Sequence, residues 1–265
     1  MIIDAHTHVY PDKIAEKVSD VVGEFYDIKM RFTGDLRTLV GNCRKVGVDK
    51  CVIISVATTK AQVRTINSFL TETVKTGELP MVALCALHHE MTESEIADEL
   101  DFAEKNGMRG IKLHPDFQKF AIDDRVAYKI YEAAQGRFPI LFHTGDSRYE
   151  FSQPFRLKRV MRDFPGLVAI GAHFGGWSEW DDATRELAGQ PNLFVDTSSS
   201  LYLFSDEQAR KAISAFGAEN VMFGSDFPMW DAGEEIRRLS QIGLSERETE
   251  LIMYKNAQSL YFEPK

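Results

Sequence analysis

Eight short apolar runs of β character recur along the chain, at residues 2–6, 50–57, 81–87, 109–114, 138–143, 167–173, 192–197 and 220–226. Between them lie stretches with helical spacing, such as 92–106 with Ile96, Leu100 and Ala103, or 123–136 with Val126, Ile130 and Ala133. The runs are mostly continuous rather than alternating, the pattern of parallel strands covered on both faces. Eight such units predict an α/β fold, a (β/α)8 barrel rather than a doubly wound open sheet. A typical domain length would divide 265 residues into nearly two. No Pro-, Gly- or Ser-rich linker interrupts the chain, however, and barrels of about 200–250 residues routinely form one unit, so residues 1–265 read as a single domain.

Residues 10–49 are too many for one crossover and read as an insertion after the first strand, with helices over 13–25 and 36–46 joined by a loop at 26–34. In a barrel such an excursion lies over the C-terminal mouth, where it serves as a lid or pocket wall. Residues 233–260 read as two short helices closing the outer ring.

The histidines all fall at the ends of these runs or just beyond: His6, His8, the pair His88/His89, His114, His143 and His173. Strand ends at the C-terminal face are where barrel enzymes carry their active sites, and structural histidines have no reason to gather there. His6 and His8, two apart on an extended chain, project to the same side and can grip one ion. A catalytic zinc site needs roughly three protein ligands and one open position. His143 offers a third imidazole and Asp226 a carboxylate from the last strand, which adjoins the first once the barrel closes.

The motifs Asp4-Ala5-His6-Thr7-His8, Gly110-Ile111-Lys112-Leu113-His114-Pro115, Phe142-His143-Thr144-Gly145, Ala172-His173-Phe174-Gly175-Gly176 and Gly224-Ser225-Asp226-Phe227-Pro228 span nearly the whole chain. In order and spacing they resemble the amidohydrolase superfamily, within it the amidohydrolase-related group that includes aminocarboxymuconate-semialdehyde decarboxylase and aromatic-acid decarboxylases. Asn256-Ala257 is similar to that family's C-terminal asparagine-alanine helix. The resemblance implies a (β/α)8 barrel holding one divalent ion, usually Zn2+, through His6, His8, His143 and Asp226, with His173 beside the metal-bound water, so that His173 or Asp226 moves protons. It does not specify a substrate.

Lys112 and His114 share a parity and are expected at the mouth as substrate-binding groups; Lys112 is carboxylated and bridging, paired with Asp4 or Asp226, or aimed at substrate. Asp4 shares the parity of His6 and His8, which makes its pairing with Lys112 feasible. Arg148, just after the fifth run, offers bidentate donors to a substrate carboxylate or serves in a surface ion pair. His88 and His89 read as a solvated rim. Trp177, Trp180, Trp230, Tyr10 and Phe117 lie in loops after strands and either line a pocket or pack the loops.

The formal net charge of −9 disfavours nucleic acid and anionic membranes as partners, and also the nuclease branch of the superfamily. That branch carries a glutamate where this chain has Arg109-Gly110-Ile111-Lys112. No apolar run approaches the ~20 residues of a membrane span, no signal peptide is expected, and three scattered cysteines fit a reducing cytoplasm. Loop aromatics are compatible with a homodimer. The leading expectation is a metal-dependent hydrolase of a small organic amide, ester or lactone. The alternative is a non-oxidative, metal-dependent decarboxylase of an unsaturated or aromatic acid, and a third reading is a metal-stabilised binding protein without turnover.

Overall fold

In a computed structural model, which describes residues 1–263, eight parallel strands pair in sequence order. They are β1 (Ile3–His8), β2 (Lys50–Ile54), β3 (Met81–Ala86), β4 (Gly110–Leu113), β5 (Ile140–Phe142), β6 (Ala169–Gly171), β7 (Leu193–Asp196) and β8 (Val221–Met222). The last strand returns to the first: Ala5 N–H donates to Phe223 O at 2.8 Å and His8 N–H to Phe227 O at 2.7 Å. The expected barrel therefore forms, with alternating helices around it.

The continuous apolar runs are explained by two cores. Cys51, Ile53, Ile111, Leu113 and Phe142 face outward against the helices, whereas Val52, Ile54, Leu84, Leu141 and Ile170 fill the barrel interior. Tyr261 and Ala257, from the last helical stretch, join the interior cluster. Asn256 pins that stretch by donating to Ala218 O at 2.8 Å and Val221 O at 2.7 Å.

Side-chain alternation along β1 is broken by a bulge. Asp4 pairs with Cys51 and Thr7 with Ile53, so three steps on β1 oppose two on β2. Asp4 thus faces outward with Cys51, while the next two residues, Ala5 and His6, both face the interior. The expected shared parity of Asp4 with His6 and His8 fails for this reason. Asp4 instead accepts from Ser225 N at 2.9 Å and His6 N at 3.2 Å, fastening β1 to the turn after β8.

The excursion after β1 contains helix α1 (Asp12–Tyr26) and helix α2 (Leu36–Val46), close to the expected bounds. Asp35 caps α2 by accepting from Thr38 N at 2.9 Å. The excursion is pinched at its base, where Tyr10 N–H donates to Gly34 O at 2.7 Å. Only glycine permits this approach, because a Cβ at residue 34 would lie 2.5 Å from the Tyr10 ring. Helix α2 packs on the outer ring beside the helix Ala232–Gln241. Helix α1 lies over the mouth, and α3 (Val63–Lys75) follows β2.

Glu235, on Ala232–Gln241, is fully buried, and burial lifts its carboxyl to about 7 against the pull of Arg238. A carboxyl whose folded pKa is raised favours folding below its unfolded value and loses that contribution as pH rises through about 7. Glu235→Gln is therefore expected to stabilise the protein at pH 8 by about 1–3 kcal/mol, from ~1.36 kcal/mol per pKa unit, with the gain fading by pH 5. Urea titrations of parent and variant at the two pH values check this, and a constant difference would discount the buried charge.

Candidate metal centre

Strand ends and the turns beyond them build the site at the mouth. The His6 ring is oriented from below: its Nδ1 lies 2.8 Å from Asp196 Oδ2, at the end of β7. Burial alone would raise the Asp196 carboxyl, but His6, His173 and the Ser198 hydroxyl outweigh it and hold it at about 2. An ionised carboxylate only accepts, so His6 Nδ1 carries a proton, and with the ring neutral Nε2 is the bare atom left for a metal. That Nε2 is buried without a hydrogen-bond partner.

Asp226 Oδ1 lies 3.5 Å from His6 Nε2 and 3.4 Å from His8 Nε2. Burial would raise Asp226 too, yet the surrounding imidazoles hold it well below the usual carboxylate range. A bare ring nitrogen and a carboxylate oxygen repel unless a cation lies between them. Nitrogen and oxygen donors about 2.0–2.1 Å from a tetrahedral ion stand about 3.3–3.4 Å apart, so the observed separations fit a shared divalent ion. Candidate donor atoms of His6, His8 and Asp226 all fall within 4.8 Å of one another.

The other two expected residues form an adjoining chain. His173 Nδ1 donates to Ser198 O at 3.0 Å, which leaves Nε2 to accept from His143 Nδ1 at 3.0 Å. His143 Nε2 points toward Asp116 Oδ2 at 3.7 Å. His143 is therefore linked to the cluster through His173 rather than gathered with His6, His8 and Asp226. Burial pushes His8 and His173 down to about 4 and His143 well below its ordinary value, the direction that favours the neutral ring a metal or a proton needs. Burial has the opposite effect on Asp116, whose carboxyl rises to about 7. His173 and Asp226 both sit at left-handed backbone positions, φ 61° and 60°, a costly conformation characteristic of functional sites.

Lys112 and His114 line the same cavity of about 720 Å³. Lys112 is 1% exposed, and burial lowers its pKa to about 8 while Asp196 and Asp226 pull it up from beyond ion-pair distance. It does not pair with Asp4, whose carboxylate the β1 bulge has turned away. His114 Nδ1 accepts from Phe117 N at 3.3 Å, so its Nε2–H donates to Tyr26 Oη at 2.9 Å. The Tyr26 hydroxyl keeps its own proton for a group in the cavity, and burial raises its pKa well above the ordinary value, so it remains a donor.

Arg148 takes the second of its two expected roles, an ion pair, and not the first. Its Nε and Nη2 hold Asp146 at 2.9 and 2.8 Å, Nη1 donates to Phe25 O at 2.6 Å, and the guanidinium lies among Phe25, Tyr26 and Trp177. It fastens α1 to the loop after β5 and lines no part of the cavity. His88 is buried rather than solvated and stacks on His89 at 4.4 Å, also outside the cavity. Tyr10, Phe117 and Trp177 line it; Trp180 and Trp230 instead brace His173 O and Ser199 Oγ at 3.0 and 2.8 Å. Asp196, Asp116 and Tyr26 escaped the sequence reading. Asp196 alone carried a signal, a carboxylate at the mouth end of an apolar strand.

The Amidohydrolase family model matches residues 3–262. Among solved structures, an uncharacterised barrel protein from Bordetella bronchiseptica is similar over 98% of this chain and 97% of its own, with 18% identity and a TM-score of 0.81. A putative 2-pyrone-4,6-dicarboxylic acid hydrolase from Pseudomonas putida covers 100% of this chain and 98% of its own (19% identity, TM-score 0.68). A dihydroxybenzoic acid decarboxylase from Polaromonas sp. JS666, solved with manganese and 2-nitroresorcinol, covers 98% and 96% (16% identity, TM-score 0.75).

Proposed function

The chain belongs to the amidohydrolase family, and from that premise we propose that it is a metal-dependent hydrolase of a small organic amide, ester or lactone. The observation that carries this reading is the bare His6 Nε2 set against the ionised Asp226 and His8 at the floor of a deep cavity. His6, His8 and Asp226 would hold the ion, with zinc the first candidate, while His143 adjoins them through His173. When bound, a divalent ion supplies Lewis acidity and lowers the pKa of a water ligand toward about 7.

The remaining work falls to the chain itself. Asp226, ionised and held by the Ser199 hydroxyl, accepts a proton from the attacking water. Asp226 passes that proton on to the leaving nitrogen or oxygen, directly or through His173, whose Nδ1 lies 4.0 Å from Asp226 Oδ2. Tyr26 donates to the substrate carbonyl oxygen, where negative charge develops. Tyr26→Phe is expected to lower kcat/KM about 10- to 100-fold with metal content unchanged; a fall confined to KM would assign Tyr26 to binding alone.

The second reading, decarboxylation, draws on Lys112, an ammonium in the cavity without an ion pair and suited to a substrate carboxylate. Against it, no arginine lines the cavity among the described residues. Metal-loaded protein incubated with lactones, esters, amides and aromatic acids separates the two. Acid release without CO2 is expected, and CO2 release would replace the leading reading with the second.

A further inference from the structure

Helix α1 is mounted in an unusual way. It docks through small residues one turn apart, Ala15, Ser19 and Gly23, all buried. A Cβ at Gly23 would come within 2.7 Å of Ile28 O, and Ser19 Oγ accepts from Gly34 N at 3.1 Å, so this face sits close to its support. The bulky apolar residues, Ile14, Val18, Val21, Val22 and Phe25, recur at helical spacing on the adjoining face. A helix ordinarily buries such a stripe. Here Ile14 is 46% and Val21 55% exposed, and all five line the cavity.

The opposite wall is the start of α3 and the turn before it, with Ala61, Ile66 and Phe69. Gln62 lines this wall too, but its Oε1 already accepts from Thr58 N at 2.8 Å and Thr59 N at 3.1 Å. Lys17 is the only charged side chain that either helix contributes to the lining. The slot between α1 and α3 is continuous with His6, His8 and Asp226. Its total volume, about 720 Å³, lies in the upper part of the ~300–1,000 Å³ range of small-molecule sites.

We propose that this slot holds a hydrocarbon tail of the substrate, so that the natural substrate is an ester, amide or lactone bearing an alkyl or acyl chain rather than a compact polar acid. The inference rests on the hydrolytic reading of the metal centre. A bare apolar face would suit a second copy of the chain. A stripe walled on its far side by α3 and opening onto the metal ligands suits a chain molecule whose reacting group reaches those ligands. Each methylene entering such a slot tightens binding about fourfold until the slot is filled.

The test uses metal-loaded full-length protein and alkyl methyl ketones of four to twelve carbons, which cannot be hydrolysed, with binding followed by calorimetry. The expected result is a stepwise fall in Kd with chain length. Val22→Trp, which fills the slot, and Val18→Arg, which charges it, should each flatten the series while metal content and far-UV circular dichroism stay as in the parent. A parent series that is already flat, or one that survives both variants, overturns the proposal. So does a stable dimer that Val21→Arg converts to a monomer while ketone affinity stays independent of length, because the stripe would then belong to a second copy. Steep ketone binding without hydrolysis of any ester, amide or lactone would sink the hydrolytic reading alone. Hydrolysis with no dependence on tail length would sink only the tail site.

Discussion

Asp226→Ala is expected to reduce bound divalent metal from about one ion per chain to a small fraction of that, and turnover by at least about 10³-fold, near the combined scale of lost metal and lost proton transfer. Among the described residues, Asp226 is the one anionic group facing both His6 Nε2 and His8 Nε2, at 3.5 and 3.4 Å. Without it, only the imidazoles of His6 and His8 remain to hold a dication. The fold should survive, because Asp226 stands at the mouth, beyond the end of β8, and the apolar interior below it is untouched. Elemental analysis of dialysed protein beside steady-state kinetics provides the check. A variant that kept both its metal and its turnover would remove the centre from this location.

Asp196→Asn tests the support beneath that centre. Asp196 touches three parts of the site at once: His6 Nδ1 at 2.8 Å, His173 N at 3.0 Å and Ser198 N at 3.1 Å. Its charge fixes the His6 proton on Nδ1 and leaves Nε2 free for a metal. An asparagine can present its amide N–H to the same ring nitrogen and drive the proton to Nε2, the wrong atom. Loss of such a carboxylate behind a metal-binding histidine typically costs 10–100-fold in metal affinity, and that is the expected result in a chelator competition titration. Nitrogen-15 spectra of the His6 ring should show the tautomer change, a readout that a general loosening of the barrel would not produce.

The barrel was legible because each strand is a continuous apolar run, and its mouth because five of those runs end on or next to histidine. Helix bounds were legible where a cap stands in the sequence, as with Thr92 ahead of Glu95. What stayed hidden depends on contacts between distant segments. The β1 bulge that turns Asp4 away from Lys112 leaves no mark in the sequence, because it arises from pairing with β2. Arg148 sits two residues from its partner Asp146, but whether a guanidinium folds back or reaches forward is decided by Phe25, more than a hundred residues earlier. Tyr26 was invisible for the same reason: the angle at which α1 crosses the mouth follows from the small residues on which it rests. His143 was placed correctly at the mouth, yet its ring meets His173 rather than the cluster, a detail of side-chain orientation that strand parity does not reach.

The pinch between Tyr10 N and Gly34 O separates inheritance from innovation in this chain. Because the ends of the excursion are already joined at the barrel rim, the segment between them is a cassette whose length and sequence are decoupled from the strands below. Doubling the length of a loop so closed costs only about 0.6 kcal/mol of closure entropy. Residues 11–33 can therefore be redesigned around Tyr26 without disturbing the strand ends below, and grafting a cassette that keeps Tyr26 between members of the barrel family is a direct route to moving tail preference while the chemistry stays in place.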